Sequence, residues 1–310
     1  MSATAEKGAG GFGHPALFYR GAAEYLAGTV PFVWSGLAAD EPVAVAVPGD
    51  NLELLRRELG ADAARVRLLD MTEAGRNPGR IIPGVLRAFA DSHPGRPVRI
   101  IGEPIWAARS AEEYPACVQH EALINLAFAG RDATILCPYD VDALTPEVLT
   151  DAEATHPVLV DGTGPRTSAG YDPGGVIARY NEPLPVPDGA FELADTTNLA
   201  AARALAHVRA AACGLGDGQV ADVEVVVTEL LSNSIEHGSG SGTVRFWGAD
   251  GEFVCEVHDR GRLTDPLAGR HPATPYQPRG RGLLLVNHLA DLVRLHSGGD
   301  GTTFRAFFRV

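Results

Sequence analysis

The sequence predicts two domains of different fold class: a three-layer α/β domain with a mostly parallel sheet, and after it an α+β domain. The chain has 310 residues, which exceeds the roughly 100 to 200 residues of a typical single domain. In the first half, short β-branched segments alternate with helical segments, as in parallel sheets that helices cover. In the last third, predicted helices and hairpins are typical of helices packed on an antiparallel sheet.

Composition and charge narrow the functional classes. Hydrophobic residues make up 45% of the chain, and the formal net charge is −13. Because nucleic-acid binding needs a basic surface, we expect a protein partner or a small ligand rather than direct nucleic-acid binding. The apolar runs are too short for a membrane span and the N-terminus lacks a signal-peptide pattern, so we expect a cytoplasmic protein. The cysteines lack disulfide or metal-ligand spacing and are interpreted as free thiols.

The elements of the first domain follow from apolar segments and the helix-forming segments between them. Residues 1–13 are small and glycine-rich, so we expect a loose tail. Residues 162–189 contain eleven glycines or prolines, which indicates a linker. We therefore place the domains at 14–165 and 190–310, with the linker at 166–189. Strands are predicted at 43–47, 66–70, 98–102, 134–138 and 158–161, and helices at 52–58, 82–92 and 111–129.

The second domain begins with two predicted helices. Thr196 and Thr197 are candidate N-caps of the first helix, whose apolar face includes Val208. The second helix ends at about His237, because Gly238 follows it as a stop signal. The remaining predicted elements are a hairpin around 250–251, a helix over 283–291 and a last hairpin around 298–301.

Three polar side chains lie in a row on the second of these helices. Glu229, Asn233 and His237 are four residues apart, so they project from nearly the same helix face. An ordinary solvated helix face explains this pattern as well. In the functional interpretation, Asn233 offers its carbonyl oxygen to Mg²⁺, which prefers hard oxygen ligands. Glu229 then orients or deprotonates an attacking hydroxyl.

A DxG motif follows that helix at the end of a predicted strand. The carboxylate of Asp259 can accept a hydrogen bond from an adenine amino group. Gly261, which has no Cβ, lets the backbone approach the base. A simple turn is the alternative, because DxG alone is a weak signal.

A second glycine motif precedes the next helix. Gly280, Arg281 and Gly282 lie just before an apolar helix that begins at about Leu283. Free backbone N–H groups and the helix dipole favour phosphate at such a helix start, although a flexible loop explains the glycines equally well. Thr302 and Thr303, at the start of the last strand, are candidate hydroxyls to support Asp259, although a plain hairpin explains them equally well.

In their order, these motifs resemble those of the GHKL ATPases, and within them the small serine kinases of the anti-sigma-factor type. The resemblance is carried by ELLSNSIEHG, DRG, GRGLLLV and GTTFR, between about residues 195 and 310. It implies a Bergerat-type α+β sandwich that binds ATP with Mg²⁺. It also implies that Asn233 ligates Mg²⁺, that Glu229 is the catalytic base and that Asp259 binds adenine. The further implied ATP contacts are His237, Gly261, Gly280, Arg281, Gly282, Leu283 and Thr303.

The resemblance also implies an activity and partners. The activity is serine/threonine kinase, the substrate is an anti-sigma-factor antagonist of the STAS type, and a sigma factor is a second candidate partner; a homodimer stays open. A non-catalytic ATP-binding switch that sequesters a partner is one alternative. A sensor histidine kinase-like protein is another, but the linker is too short and proline-rich for a dimerising phosphoacceptor hairpin.

The first domain resembles the MEDS sensory domain of bacterial regulators. The motifs HPALFYRGAAEYL, VPFVWSGL, LLDMTEAGRNPGRIIP, IIGEPIW, HEALINLAF, ILCPYD and THPVLVD occur in this order within 14–165. The resemblance implies a RecA-like α/β core without a phosphate loop, which senses an unidentified small molecule.

Polar residues of the first domain are candidates for that sensory site, because several lie at strand ends, where α/β sheets bind ligands. Cys137, His14 and His156 are also metal-ligand types, but no two have ligand spacing in the sequence, which argues against a metal. The candidates are His14, His120, Glu121, Cys137, Tyr139 and His156.

Overall fold

The structure, a computed structural model, describes residues 11–272 and 280–310. These residues form two compact units, the first ending at Tyr180 and the second beginning at Asn181. Each unit has its own sheet and its own buried apolar core. Most of the predicted tail lies outside the described residues, as do residues 273–279.

The first unit contains an eight-stranded, mostly parallel sheet. Its strands are β1 (Phe12–Gly13), β2 (Pro15–Tyr19), β3 (Val43–Val47), β4 (Arg67–Asp70), β5 (Val98–Gly102), β6 (Ala133–Asp140), β7 (Val158–Asp161) and β8 (Gly164–Thr167). Their order is β4-β3-β5-β6-β2-β7-β8, with β1 beside β6, and β8 runs antiparallel to β7. Every residue of β3 is buried, so both faces of the sheet are covered there. The predicted α/β class is confirmed.

The helices of the first unit connect these strands. They are α1 (Gly21–Ala38), α2 (Gly49–Leu59), α3 (Met71–Ala74), α4 (Ala88–Asp91), α5 (Tyr114–Ala127), α6 (Pro146–Thr155) and α7 (Pro173–Arg179). A π-helical segment at Ile81–Arg87 leads into α4, where the sequence predicts one regular helix. α1 packs against α2, and α5 packs against α6 and α7.

Four helices of the first unit, α1, α3, α6 and α7, are absent from the sequence prediction. α1 has Pro31 in its interior, which lowers helix propensity, but buried side chains such as Tyr25 and Val33 hold it against the sheet. α7 lies inside the predicted linker, which is therefore not wholly a linker. The carboxylate of Asp172 caps it by accepting the N–H of Gly175 at 2.9 Å, and a proline occupies its first turn.

The second unit is a five-stranded antiparallel sheet with three helices. The strands are β9 (Phe191–Thr196), β10 (Gly242–Ala249), β11 (Glu252–Asp259), β12 (Leu292–Gly298) and β13 (Gly301–Arg309), in the order β12-β13-β11-β10-β9. The helices are α8 (Leu199–Ala212), α9 (Asp217–Glu236) and α10 (Gly282–Leu289). The predicted α+β class is confirmed, and so is the turn between β10 and β11, where Asp250 and Gly251 have φ of 50° and 78°.

The first helix of this unit differs from its prediction. Asn198, rather than Thr196 or Thr197, caps α8 by accepting the N–H of Ala201 at 3.0 Å. Val208, predicted on the apolar face, is 61% exposed. The buried face consists of alanines, which allow α8 to pack closely on α9: Ala202, Ala206 and Ala210.

A buried ion-pair network lies across three strands of the second sheet. Glu256 on β11 is fully buried. Its carboxylate forms ion pairs with the guanidinium groups of Arg305 on β13, at 2.6 Å, and Arg245 on β10, at 2.9 Å. The Arg305 guanidinium also donates to the carbonyl oxygens of Leu184 and Pro185. The chain segment before β9 is thereby joined to the sheet.

No helix within 11–272 or 280–310 is both long enough and apolar enough to cross a membrane. All four cysteines are free thiols, as expected, and Cys117, Cys137 and Cys255 are buried.

Candidate functional site

A cavity of about 470 Å³ lies in the second unit. It is bounded by the end of α9, the end of β11, the following loop and the first turn of α10. The fold brings to it seven residues that the sequence singles out from separate motifs: Asn233, His237, Asp259, Gly261, Gly280, Gly282 and Leu283. Glu229, Arg281 and Thr303 do not line it.

Glycines allow the close approach of three chain segments at this cavity. A Cβ at Gly238 would overlap Oδ1 of Asp259. At Gly261 it would lie 2.6 Å from the Cα of Gly238, and at Gly282 it would overlap Oε2 of Glu229. Any larger residue at these positions would push apart the elements that carry the polar groups. The shape of the cavity therefore depends on having glycine, which has no side chain, at these three positions.

The DxG loop is held in one conformation by hydrogen bonds. The carboxylate Oδ1 of Asp259 accepts the N–H of Gly261 at 2.6 Å. The hydroxyl of Thr302 donates to the carbonyl oxygen of Gly261 at 2.9 Å and accepts the N–H of Leu263 at 3.2 Å. The second carboxylate oxygen of Asp259 is left for a donor in the cavity, such as an amino group.

Of the two threonines that the sequence offers, Thr302 supplies the hydroxyl that holds the DxG loop. Thr303 contacts Nδ1 of His258 at 2.9 Å instead. Side chains alternate between the faces of a strand, so a shift of one residue in β13 exchanges the two threonines. The pairing of Asp259 with Thr302 across β11 and β13 decides which threonine faces the loop.

Asn233 and Glu229 meet at the start of α10. A Cβ at Gly282 would lie 3.7 Å from Nδ2 of Asn233, on the same side as Oε2 of Glu229. Nδ2 of Asn233 is buried and has no hydrogen-bond partner among the described residues. A buried amide without a partner is costly unless a ligand satisfies it. This side chain therefore fits a role in ligand or metal binding, with its amide orientation set by the ligand.

The two remaining candidates, His237 and Arg281, lie at helix ends. His237 is the C-cap of α9 and borders the cavity, with its side chain 67% exposed. Arg281 is the N-cap residue of α10 and makes no side-chain capping bond there. The first N–H groups of α10 are thus not satisfied by a cap, which suits an anion at the cavity.

Comparison with family models gives the class of each unit. Residues 193–308 match the model of the histidine kinase-like ATPase domain. Residues 13–157 match the MEDS model, the methanogen/methylotroph DcmR sensory domain. The chain is a MEDS domain followed by a histidine kinase-like ATPase domain, a class of domain that binds ATP.

One of the solved structures that match this chain is similar over part of its length. It contains the RsbU and RsbW domains of Rv1364c from Mycobacterium tuberculosis. The sequences are 24% identical, with a TM-score of 0.30, over 40% of this chain. The match spans 33% of the length of that protein.

In the first unit, four of the candidate sensory residues converge. His14, Glu121, Cys137 and His156 are all buried and share one cluster. The ring of Tyr139 packs edge-on against His156, with centroids 5.5 Å apart. His120 is also buried but is not part of the cluster.

The cluster does not lie at the end of the sheet where the sequence analysis expects a ligand. His14 and His156 precede β2 and β7, so they lie at the amino ends of parallel strands rather than the carboxyl ends, where α/β sheets bind ligands.

A second polar cluster, not predicted from the sequence, lies at the carboxyl ends. Glu103 directly follows β5, and Nδ2 of Asn51 donates to both of its carboxylate oxygens at 3.0 and 2.9 Å. Tyr19, the last residue of β2, donates to Oε1 at 3.5 Å. Burial raises the pKa of Glu103 from its ordinary value of 4.5 to about 8, although the Asn51 and Tyr19 donors act in the opposite direction. The sequence signal that could have indicated this cluster is a charged residue, Glu103, directly after an apolar strand.

This raised pKa predicts a pH dependence of stability. Because folded Glu103 holds its proton up to about pH 8 and the unfolded chain releases it near 4.5, the unfolding free energy falls as pH rises between these values. A tenfold difference in proton affinity between the folded and unfolded chain corresponds to about 1.4 kcal/mol. In Glu103→Gln, which cannot ionise, the thermal midpoint should fall less between pH 5 and 8 than in the wild type. Parallel pH profiles of the two proteins would contradict the assignment.

Proposed function

We propose that this protein is an ATP-dependent serine/threonine kinase whose substrate is a serine of an anti-sigma-factor antagonist. The observation that carries the proposal is the juxtaposition of the Glu229 carboxylate and the unpartnered Asn233 amide against Gly282 beside the cavity. The family match supports ATP binding. The serine substrate and the antagonist rest on the resemblance of the motifs to the anti-sigma-factor kinases.

Asp259 would bind the adenine end of the nucleotide. Its Oδ1 is occupied by the N–H of Gly261, which leaves Oδ2 to accept the adenine amino group. Thr302 holds the backbone of this loop in place. Gly280 and Gly282 would offer backbone N–H groups to the phosphates at the start of α10.

Asn233 and Glu229 would act at the other end of the nucleotide. When bound, Mg²⁺-ATP supplies the phosphoryl group and the positive charge that offsets its oxygens. Asn233 would offer its amide oxygen to Mg²⁺. Glu229, one helical turn earlier, would accept the proton of the serine hydroxyl at a carboxylate oxygen. Transfer in this site depends on the positioning of these groups more than on covalent chemistry by the protein.

The first domain is proposed to control this activity by sensing a small molecule. The MEDS family description as a sensory domain supports this role. A sigma factor as a second partner and a cytoplasmic location belong to the same proposal and rest on the motif resemblance.

Glu229→Gln is expected to abolish phosphoryl transfer and leave ATP binding within about threefold of the wild type. Glutamine keeps the shape that packs against Gly282 but is no base, and a general base typically contributes about 10² to 10⁴ in rate. The full chain is incubated with γ-³²P-ATP and a purified serine-containing antagonist, and titration with ATP measures binding. Glu236→Gln, an exposed glutamate of the same helix, is the matched control and should transfer normally.

The same assay separates the alternatives. Label on the substrate that survives acid supports a phosphoserine or phosphothreonine product, whereas acid-labile label on the chain itself indicates a histidine kinase-like reaction. ATP binding without any transfer by the wild type contradicts the kinase proposal and leaves the ATP-binding switch.

A further inference from the structure

Four metal-ligand side chains from distant parts of the sequence converge inside the first unit. His14, Glu121, Cys137 and His156 are at most 1% exposed. Their ligand atoms all lie within 4.8 Å of one another. β2 pairs with both β6 and β7, and its pairing places Ala16 beside Cys137. The sheet register, rather than sequence spacing, assembles the group.

Three of the six separations between ligand atoms are close to those of a tetrahedral metal site. Nε2 of His14 and Nε2 of His156 each lie 3.2 Å from the same Oε2 of Glu121. Sγ of Cys137 lies 3.4 Å from Nε2 of His14. In zinc sites, bonds of about 2.0 to 2.3 Å place neighbouring ligand atoms about 3.3 to 3.7 Å apart. The outermost atoms need to approach by about 1 Å, which small side-chain rotations supply.

The outer nitrogens of both rings are held by acceptors. Nδ1 of His156 lies 2.8 Å from the carbonyl oxygen of Ala152, which can only accept, so Nδ1 carries the proton. Nδ1 of His14 lies 3.2 Å from Oδ1 of Asn125. The amide of Asn125 is oriented by its Nδ2, which donates to the carbonyl oxygen of Thr155 at 2.9 Å. Both rings, when neutral, therefore present a bare Nε2 to the cluster.

Apart from the thiol of Cys137, which can donate to Nε2 of His14, acceptors face acceptors at the centre of the cluster. The lone pairs of two imidazoles point toward a carboxylate, and neither oxygen of Glu121 has a hydrogen-bond partner among the described residues. Nε2 of His156 has none there either. Buried polar atoms that lack partners are costly, and convergent lone pairs repel one another. A cation at the centre removes both costs.

We propose that these four side chains bind one Zn²⁺ ion, independently of the ATP site. A thiolate and a carboxylate with two neutral imidazoles carry a charge of −2, which Zn²⁺ balances, so the buried complex is neutral. The mixed nitrogen, sulfur and oxygen set suits zinc rather than Mg²⁺ or Ca²⁺, which take oxygen ligands. On binding, the thiol proton of Cys137 passes to solvent.

The proposed zinc site is structural rather than catalytic. Four protein ligands complete a tetrahedron and leave no open position for a substrate. The hydrogen bonds from His14 and His156 to Asn125 and Ala152 are the outer contacts that orient histidine ligands in such sites. The ion would join β6 and α5 to the residues that precede β2 and β7.

Metal titration of the full chain tests this site. After removal of metal with a chelator, the wild type should bind one Zn²⁺ or Co²⁺ per chain, and Zn²⁺ should raise the thermal midpoint. The Co²⁺ protein should show the intense visible bands of tetrahedral cobalt and a near-ultraviolet thiolate charge-transfer band. No binding, or the weak bands of octahedral cobalt, overturns the proposal without any variant.

Variants identify the ligands. Cys137→Ser should lose the thiolate band, whereas Cys117→Ser, which removes the other buried cysteine of this unit, should keep it. Asn125→Ala, which removes an outer contact, should weaken Zn²⁺ binding by about 10- to 100-fold while one ion per chain still binds at saturation. A thiolate band that survives in Cys137→Ser places the metal elsewhere and contradicts the assignment.

Discussion

Asp259→Asn is expected to weaken ATP binding by on the order of 100-fold, or about 2.7 kcal/mol. Oδ1 of Asp259 accepts the N–H of Gly261, so under the proposed function Oδ2 is the atom that would accept the adenine amino group. In asparagine, Oδ1 keeps the bond to Gly261 and an NH₂ group replaces Oδ2. Two donors then face each other, and the substitution changes a favourable contact into a repulsive one. Calorimetric titration of the full chain with ATP measures the loss.

The same cavity supplies a matched control. Asp265 also lines it, but its carboxylate is engaged by the N–H of Leu267 at 2.9 Å and by His271 at 3.2 Å. Asp265→Asn should therefore bind ATP within a few-fold of the wild type. Near-normal binding by Asp259→Asn, or equal losses in both variants, would show that Asp259 does not bind the adenine.

Glu256→Ala is expected to lower the unfolding free energy of the second unit by about 3 to 5 kcal/mol. The carboxylate is fully buried and is shared by Arg245 and Arg305. Its removal leaves the Arg305 guanidinium, itself 7% exposed, without a counter-ion in the protein interior. Hydrogen exchange followed on peptides of β11 and β13 reports the stability of this unit within the full chain.

Glu192 provides the exposed counterpart. It pairs with the same Arg245 at 2.7 Å, but its side chain is 46% exposed. Glu192→Ala should cost less than about 1 kcal/mol, because water already screens this pair. If the two variants lose equal stability, burial is not what makes the Glu256 network important.

The sequence predicts strands and helix ends correctly where their signal is local. The strand at Val43–Val47 follows from a run of β-branched residues and is found unchanged. The end of α9 follows from the glycine after His237. α1 and α7 were missed because Pro31 and a glycine-rich neighbourhood lower local propensity, while packing and the cap by Asp172 decide the outcome. Such tertiary compensation leaves no periodic signal in the sequence.

The cavity of the second unit shows the same division between local and tertiary signals. Motif order was enough to associate Asn233, Asp259 and Gly282, which the fold does bring together. The choice between Thr302 and Thr303 was not accessible, because it depends on the register between β11 and β13. A one-residue difference along a strand reverses the direction of a side chain.

The sequence by itself determined the two fold classes, their order along the chain and the motifs of an ATPase domain, because these depend on local periodicity and short spacing. Only the tertiary structure decided that His14, Glu121, Cys137 and His156 form one buried cluster. Their convergence depends on the pairing of β2 with β6 and β7. Sheet pairing joins residues more than a hundred positions apart, and no spacing rule in a single sequence reports it.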